Sequence, residues 1–347
     1  MRTFLKATQD ATIYQRYSGS NSGLDEILEI GKVARSTDVR NMMASSSART
    51  LITFDIPSNG QYPSSSVYYL NLRIANAEKI NRYQRIEVYP ISRSWIEGSG
   101  YFYQDVRNAE DGASWTFSKK DVSWNTAGGD IISTISASYE VSKYPIEDIK
   151  INVTNIIASV VSGSNDFQWN GLLLKFPTLD ELDTENVGNL KVFSSNTHTI
   201  FEPTLEVVYN NQTFITGSLK PIPQNKFSVV AKNLKEGYTL GEVDKVYLVV
   251  RDAYPDRRFD AVQRFRTTYY LPSSSYYRIR DQQSGVVIYD FDQYSAIDCD
   301  RTGSYIMLDT SGLQVDRYYE MDIKIQNNNL VLYPEFNYTF RVDRNGI

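Results

Sequence analysis

The sequence predicts an all-β chain in which one β-sandwich is followed by another. Three observations predict it. Apolar and β-branched residues alternate with polar ones over short runs. Clusters of Ser, Asn, Gly and Pro separate those runs. Tyrosine, at 26 of 347 residues, outnumbers phenylalanine (15) and tryptophan (4) together. It buries a ring while keeping a polar tip, as a half-buried sheet surface requires.

Strand patterns run through residues 11–14, 50–54, 67–74, 85–89, 172–176 and 204–209, punctuated by turn-rich stretches at 18–23, 57–66 and 98–100. One segment reads as a helix. Over residues 149–162, Ile149, Val153, Ile156, Ile157 and Val160 recur at helical spacing, with Asp148 placed to cap. The pattern breaks where Asn210, Asn211, Gly217, Pro221 and Pro223 cluster. This predicts a first domain over residues 1–210, a linker over 211–224 and a second domain over 225–347. In the latter, strand patterns at 226–232, 245–251, 264–270, 286–290, 304–308, 318–325 and 337–342 suggest a small sandwich.

Composition narrows the function. With 36 Lys+Arg against 41 Asp+Glu, the formal net charge is −5, which gives no general attraction for phosphate backbones. No nucleic-acid partner is therefore expected. Apolar runs such as Val246-Tyr247-Leu248-Val249-Val250 fall far short of the ~20 residues of a spanning helix, so no membrane partner is expected either. The start, MRTFLKATQDATIY, has no apolar core of secretory type, which predicts that the protein does not leave its cell by the general secretory route.

A lone cysteine, Cys299, rules out an intrachain disulfide framework and a Cys-based zinc site, and the Asp298 and Asp300 carboxylates beside it oppose thiolate formation. A lone histidine, His198, lies in the polar run Asn196-Thr197-His198-Thr199, and no Gly-x-Ser-x-Gly elbow accompanies it. No catalytic residue is assigned and no enzyme is expected. Trp95, Trp115 and Trp124 lie near Glu97, Glu110, Asp111 and Asp130. Sugar rings stack on aromatic faces, so the three tryptophans are candidate glycan contacts; packing of turns against the sandwich would use the same rings.

Asp298, Asp300 and Asp309, with Gly303, imitate the spacing of a calcium loop, although strands flank them and Asp stands where Glu should close the loop. A plain turn accounts for the same residues. Arginines 251, 257, 258, 264 and 266 alternate with aromatic residues, and Arg257, Arg258, Phe259, Tyr269 and Tyr270 are the candidate interface.

The first 210 residues resemble domains of the DNRLRE type. The resemblance rests on Asp10-Ala11-Thr12-Ile13-Tyr14, an Asn/Gly turn and Glu29-Ile30-Gly31, followed by Arg49-Thr50-Leu51-Ile52-Thr53-Phe54-Asp55-Ile56. It continues through Ser94-Trp95-Ile96-Glu97-Gly98, Trp115, Ser123-Trp124-Asn125-Thr126-Ala127-Gly128-Gly129-Asp130 and Gly171-Leu172-Leu173-Leu174. Phe193-Ser194-Ser195 and Pro203-Thr204-Leu205-Glu206-Val207 close it. It implies a jelly-roll β-sandwich related to carbohydrate-binding modules, non-catalytic in its parent proteins, with a structural calcium possible near the first strand, where Asp10 is the residue to name.

The second half resembles segments of structural proteins of marine contractile-tailed bacteriophages, and this implies an immunoglobulin-like β-sandwich. The segments are Leu271-Pro272-Ser273-Ser274-Ser275-Tyr276-Tyr277-Arg278-Ile279-Arg280-Asp281 and Gly303-Ser304-Tyr305-Ile306-Met307-Leu308-Asp309 with Gly312-Leu313 and Arg317-Tyr318-Tyr319. Together the two resemblances imply a structural component of a virion neck, tail or appendage, oligomeric within the particle and bound to other virion proteins. A glycan-binding adhesion module on a fibre or surface protein is the alternative.

Overall fold

In a computed structural model of the chain, alternation in sequence becomes alternation in burial. Residues 1–33, 46–56, 62–80, 84–101, 111–141, 147–161, 168–183, 188–222, 227–254, 269–327, 330–336 and 338–344 are described. The chain divides into two compact units, an N-terminal unit of Phe4–Val207 and a C-terminal unit of Val208–Ile347 with Met1–Thr3. Both are built of stacked β-sheet, as the alternation predicts.

The N-terminal unit contains β1 (Arg2–Tyr14), β2 (Ile27–Val33), β3 (Ser46–Phe54), β4 (Val67–Leu72), β5 (Ile74–Glu78), β6 (Gln84–Pro90) and the hairpin of β7 (Phe117–Lys119) and β8 (Val122–Ser123). There follow β9 (Ala137–Val141), β10 (Ile149–Asn152), helix α1 (Thr154–Val161), β11 (Leu172–Lys175), helix α2 (Thr178–Leu182), β12 (Gly188–Phe193) and β13 (Thr204–Val208). Eleven strands form one continuous ladder, β10-β4-β13-β1-β3-β11-β6-β9, with β2 joining β3 to β12 and β12 joining β5. A bulge between Ala7 and Gln9 bends β1 partway through its pairing with β3. β11 is buried at all four positions, from Leu172 to Lys175, as befits a strand held between β3 and β6.

Two sequence expectations change here. The helix expected over residues 149–162 is half strand. Ile149 and Ile151 alternate in burial with Lys150 and Asn152 and pair with β4, and only from Thr154 does the chain coil. β-branched residues permit both readings, and the open edge of β4 decides for strand. Of the residues expected as a linker, 211–222 are described and belong to the C-terminal unit, while 223 and 224 lie outside the described residues. The unit boundary falls at Val207/Val208. Beyond it, Phe214 bridges to Cys299, and Lys220–Pro221 forms strand β14.

The C-terminal unit has two six-stranded sheets. One is ordered β14, β18 (Tyr269–Tyr270), β17 (Val243–Asp252), β22 (Gly303–Asp309), β21 (Asp298–Asp300), with β15 (Phe227–Ala231) also on β17. The other is ordered β16 (Gly237–Thr239), β25 (Tyr338–Asp343), β23 (Arg317–Asn327), β19 (Ser275–Asp281), β20 (Val287–Tyr289), with β24 (Leu330–Leu332) also on β23. Buried tyrosines tie the sheets together through their hydroxyls. Tyr289 donates to the Asp309 carbonyl at 2.8 Å and Tyr277 to the Met307 carbonyl at 3.4 Å. These two rings use the polar tip that tyrosine keeps when its ring is buried.

Candidate functional site

The three candidate tryptophans meet in one buried cluster with Ala11, Ile13, Leu51, Ile91, Ala113 and Leu173. Trp95, Trp115 and Trp124 are 7%, 8% and 5% exposed. Two of the indole N–H groups are consumed internally, by the Asn170 carbonyl for Trp95 (2.7 Å) and the Ser114 carbonyl for Trp124 (2.8 Å). Trp115 is covered by the Arg49 guanidinium, 4.7 Å from its ring centroid. Burial therefore leaves no open ring face here for a sugar, and the rings pack turns onto the sandwich.

Next to Ala11 of this cluster is a buried carboxyl with one unsatisfied oxygen. Asp10, on β1, is 0% exposed. Its Oδ2 accepts the Ser195 backbone N–H at 2.6 Å, while its Oδ1 has no hydrogen-bond partner. The Asp10 backbone N–H donates to Glu97 Oε1 at 3.1 Å, and Asn196 Nδ2 donates to the same oxygen at 3.2 Å. Burial pushes both carboxyls up, Asp10 to about 7, with the neighbouring Glu97 charge adding to the effect.

The loop bearing Glu97 is fixed by Asn21. Its Nδ2 donates to the carbonyls of Glu97 (2.6 Å) and Ala113 (2.8 Å), and its Oδ1 accepts the N–H groups of Gly23 and Gly100. Two glycines permit this approach. A Cβ on Gly23 would lie 2.1 Å from the Glu97 carbonyl oxygen; one on Gly98, at φ +83°, would lie 2.4 Å from Asn21 Oδ1.

The structural calcium that the DNRLRE resemblance implies would find two carboxyls here, Asp10 and Glu97, and the orphaned Asp10 Oδ1 is the atom such a cation would satisfy; no third acidic, His or Cys side chain joins them among the described residues. Asp10 and Glu97 would hold it. Its contribution would be charge compensation that ties β1 to the 96–100 loop.

The other metal candidates take other partners. Asp298 and Asp300 lie on β21 of a hairpin with β22. Asp298 Oδ1 accepts the Thr213 N–H. Asp300 Oδ1 accepts the Thr302 N–H at 2.7 Å, and its Oδ2 takes Lys245 Nζ at 2.5 Å and the Tyr247 hydroxyl at 3.2 Å. Asp309 caps its own turn through the Ser311 N–H and accepts from the Thr3 hydroxyl. No group of three or more acidic, His or Cys side chains placed for a metal occurs among the described residues. The loop-like spacing is hairpin chemistry.

Cys299 is a buried free thiol, pushed up by burial and then by its two aspartate neighbours. His198 is exposed, with Nε2 3.6 Å from Glu26. Of the candidate interface residues, Tyr269 and Tyr270 form β18 and are half-buried. Arg257, Arg258 and Phe259 lie outside the described residues, as does Glu110.

Sequence reading missed a second polar network. Arg49 grips Glu181 with both arms, Nε to Oε1 at 2.9 Å and Nη2 to Oε2 at 2.7 Å, while Lys175 reaches Oε2 at 3.4 Å and the Thr178 hydroxyl at 2.9 Å. Lys32, fully buried, donates to the carbonyls of Asp180 and Asp183. The available signal was the charge of Lys32, Arg49 and Lys175 inside otherwise apolar strand runs, since a buried cation demands a partner.

No family model matches the chain, and no curated protein matches it. Among solved structures it is similar to a DUF4785 family protein from Legionella pneumophila, with 10% identity and a TM-score of 0.19. That match covers 99% of this chain and 61% of the other, so the chain spans less than two thirds of that protein's length.

Proposed function

We propose that this chain is a non-enzymatic structural component of a bacteriophage virion, in a neck, tail or appendage, and that it works by assembly with other virion proteins and with its own copies. One observation carries the mode of action. Among the large apolar side chains that stand in solvent, two sets lie together on regular elements. Leu179 and Leu182 share α2, while Leu330 and Val331 lie on β24, with Tyr333 just beyond. Scattered exposed hydrophobes are ordinary, but grouped ones on rigid supports are what protein contacts bury. β24 pairs only with β23 among the described strands, and its sequence, Leu330-Val331-Leu332, carries no charge to discourage further pairing.

The DNRLRE-like and phage-like segments supply the particle in this reading. The buried tryptophans weigh against the glycan-binding alternative. The test is gold-labelled antibody against the chain, applied to particles released by cells whose DNA encodes it. Labelling at a fixed place on neck, tail or appendage is expected, and intact particles that bind no antibody, native or partly dissociated, would overturn the proposal.

A further inference from the structure

Helix α2 is built inside out. It has five residues, too few to persist without tertiary support. Such a turn ordinarily holds its place by burying apolar side chains and leaving charge in water. Here the carboxylate is inside and the leucines are outside. Glu181 is 9% exposed, whereas Leu179 is 82% and Leu182 74% exposed. All the anchoring is polar: Arg49 and Lys175 on Glu181, Lys32 on the Asp180 and Asp183 carbonyls, and Gln84 Nε2 on Asp180 Oδ2 at 2.9 Å. Buried ion pairs contribute little to stability beyond what apolar packing would give, so folding alone does not account for this arrangement.

We infer that α2 is a preorganised docking knob, and that its occupant is a protein surface with an apolar pocket rimmed by Lys or Arg. This rests on the reading that the chain works through protein contacts. The charge distribution selects the partner. The cations beneath α2 are buried, Lys32 and Lys175 almost entirely, while Asp183 is exposed beside Leu182 and Asp180 is partly exposed beside Leu179. From outside, the knob is two leucines with an acidic border. A second copy docking on the same patch across a two-fold axis would set Asp183 near Asp183, which opposes association. Area points the same way. A stable interface buries ~800 Å² per partner, and two leucines supply a small part of that, so they act as an anchor filling a pocket within a wider contact.

The experiment uses the intact chain and a displayed library of random peptides, with the Leu179→Ser/Leu182→Ser double variant as counter-selection and circular dichroism to confirm that it folds. Enrichment of peptides combining aliphatic or aromatic residues with Lys or Arg is expected. Their affinity should fall about ten-fold or more in the double variant and by a smaller factor in Asp183→Lys. Selection that ignores the leucines, or that enriches acidic peptides, would overturn the inference. So would dimerisation in light scattering that the double variant abolishes, which would make the occupant a second copy. Leucine-dependent binding to phosphatidylcholine vesicles would also overturn it. None of these outcomes bears on whether particles carry the chain, so failure here and failure of the virion reading are separable.

Discussion

Asp10 in the N-terminal unit and Asp300 in the C-terminal unit are both drawn toward their neutral forms by burial, yet they end on opposite sides of the usual carboxylate range. Burial also acts on Asp300, but Lys245, the Thr302 N–H and Tyr247 outweigh it and hold the carboxyl down to about 2. Asp10 has Ser195, through its backbone N–H and its side chain, and an Oδ1 with no hydrogen bond; burial outweighs these and it rises to about 7. The difference lies in depth and compensation together, since Asp10 is fully buried whereas Asp300 keeps 26% of its side chain exposed. The C-terminal unit supplies its carboxylate with a cation from β17, one strand beyond β22; the N-terminal unit leaves one carboxyl for a proton or an external cation to satisfy.

Asp10 offers the largest effect with which to break that comparison. Its folded value lies above the unfolded one, so its stabilising contribution is complete below pH ~4, declines as the pH rises to about 7, and is flat beyond. At 1.36 kcal/mol per unit this amounts to about 4 kcal/mol. Urea unfolding of the chain and of Asp10→Asn at pH 4 and pH 8 should show the stability difference moving by that amount in favour of the variant at high pH. A constant difference would mean that Asp10 is compensated after all. In the same unit, millimolar calcium above pH 7 should raise the melting temperature of the parent chain and leave Asp10→Asn unmoved. Equal response of both would remove Asp10 as a cation ligand.

Arg49→Met sharpens the comparison by stripping a paired carboxylate of its main partner. Glu181 would then resemble Asp10, and loss of a buried pair typically costs about 3 kcal/mol in denaturant unfolding. A cost below about 1 kcal/mol would show that Lys175 alone suffices. The smallest effect belongs to Lys245→Met. Asp300, lowered in the fold, contributes stability present above pH ~4 and lost as the pH falls through about 2. Removing Lys245 should flatten that acid-side loss, read from melting temperatures between pH 5 and pH 2.

Much of the fold was legible because strand alternation is local. The pattern over 67–74 corresponds to β4, which ends at Leu72 before β5 begins at Ile74, and the pattern over 318–325 lies within β23. Elements whose identity depends on distant partners were not legible. Ile149–Asn152 is strand because β4 offers an edge. Thr178–Leu182 is helix because Arg49, Lys32 and Lys175 hold it from below, an arrangement that reverses the apolar pattern used to recognise helices.

At the candidate cation site, Asp10 could be named from its motif. Its pairing with Glu97 could not, because 87 residues separate them and Asn21 brings the loops together. The tryptophans illustrate the converse. Their spacing pointed to a packed core before a sugar platform, and burial around Leu51 and Leu173 puts them in the core.

The central claim, that this chain serves by being assembled into a virion, is tested most directly by protein mass spectrometry of particles purified from cells that encode it. The account predicts peptides of this chain at a fixed ratio to the other particle proteins, retained through density-gradient purification. Intact particles lacking those peptides, with the chain left free in the lysate, would contradict it.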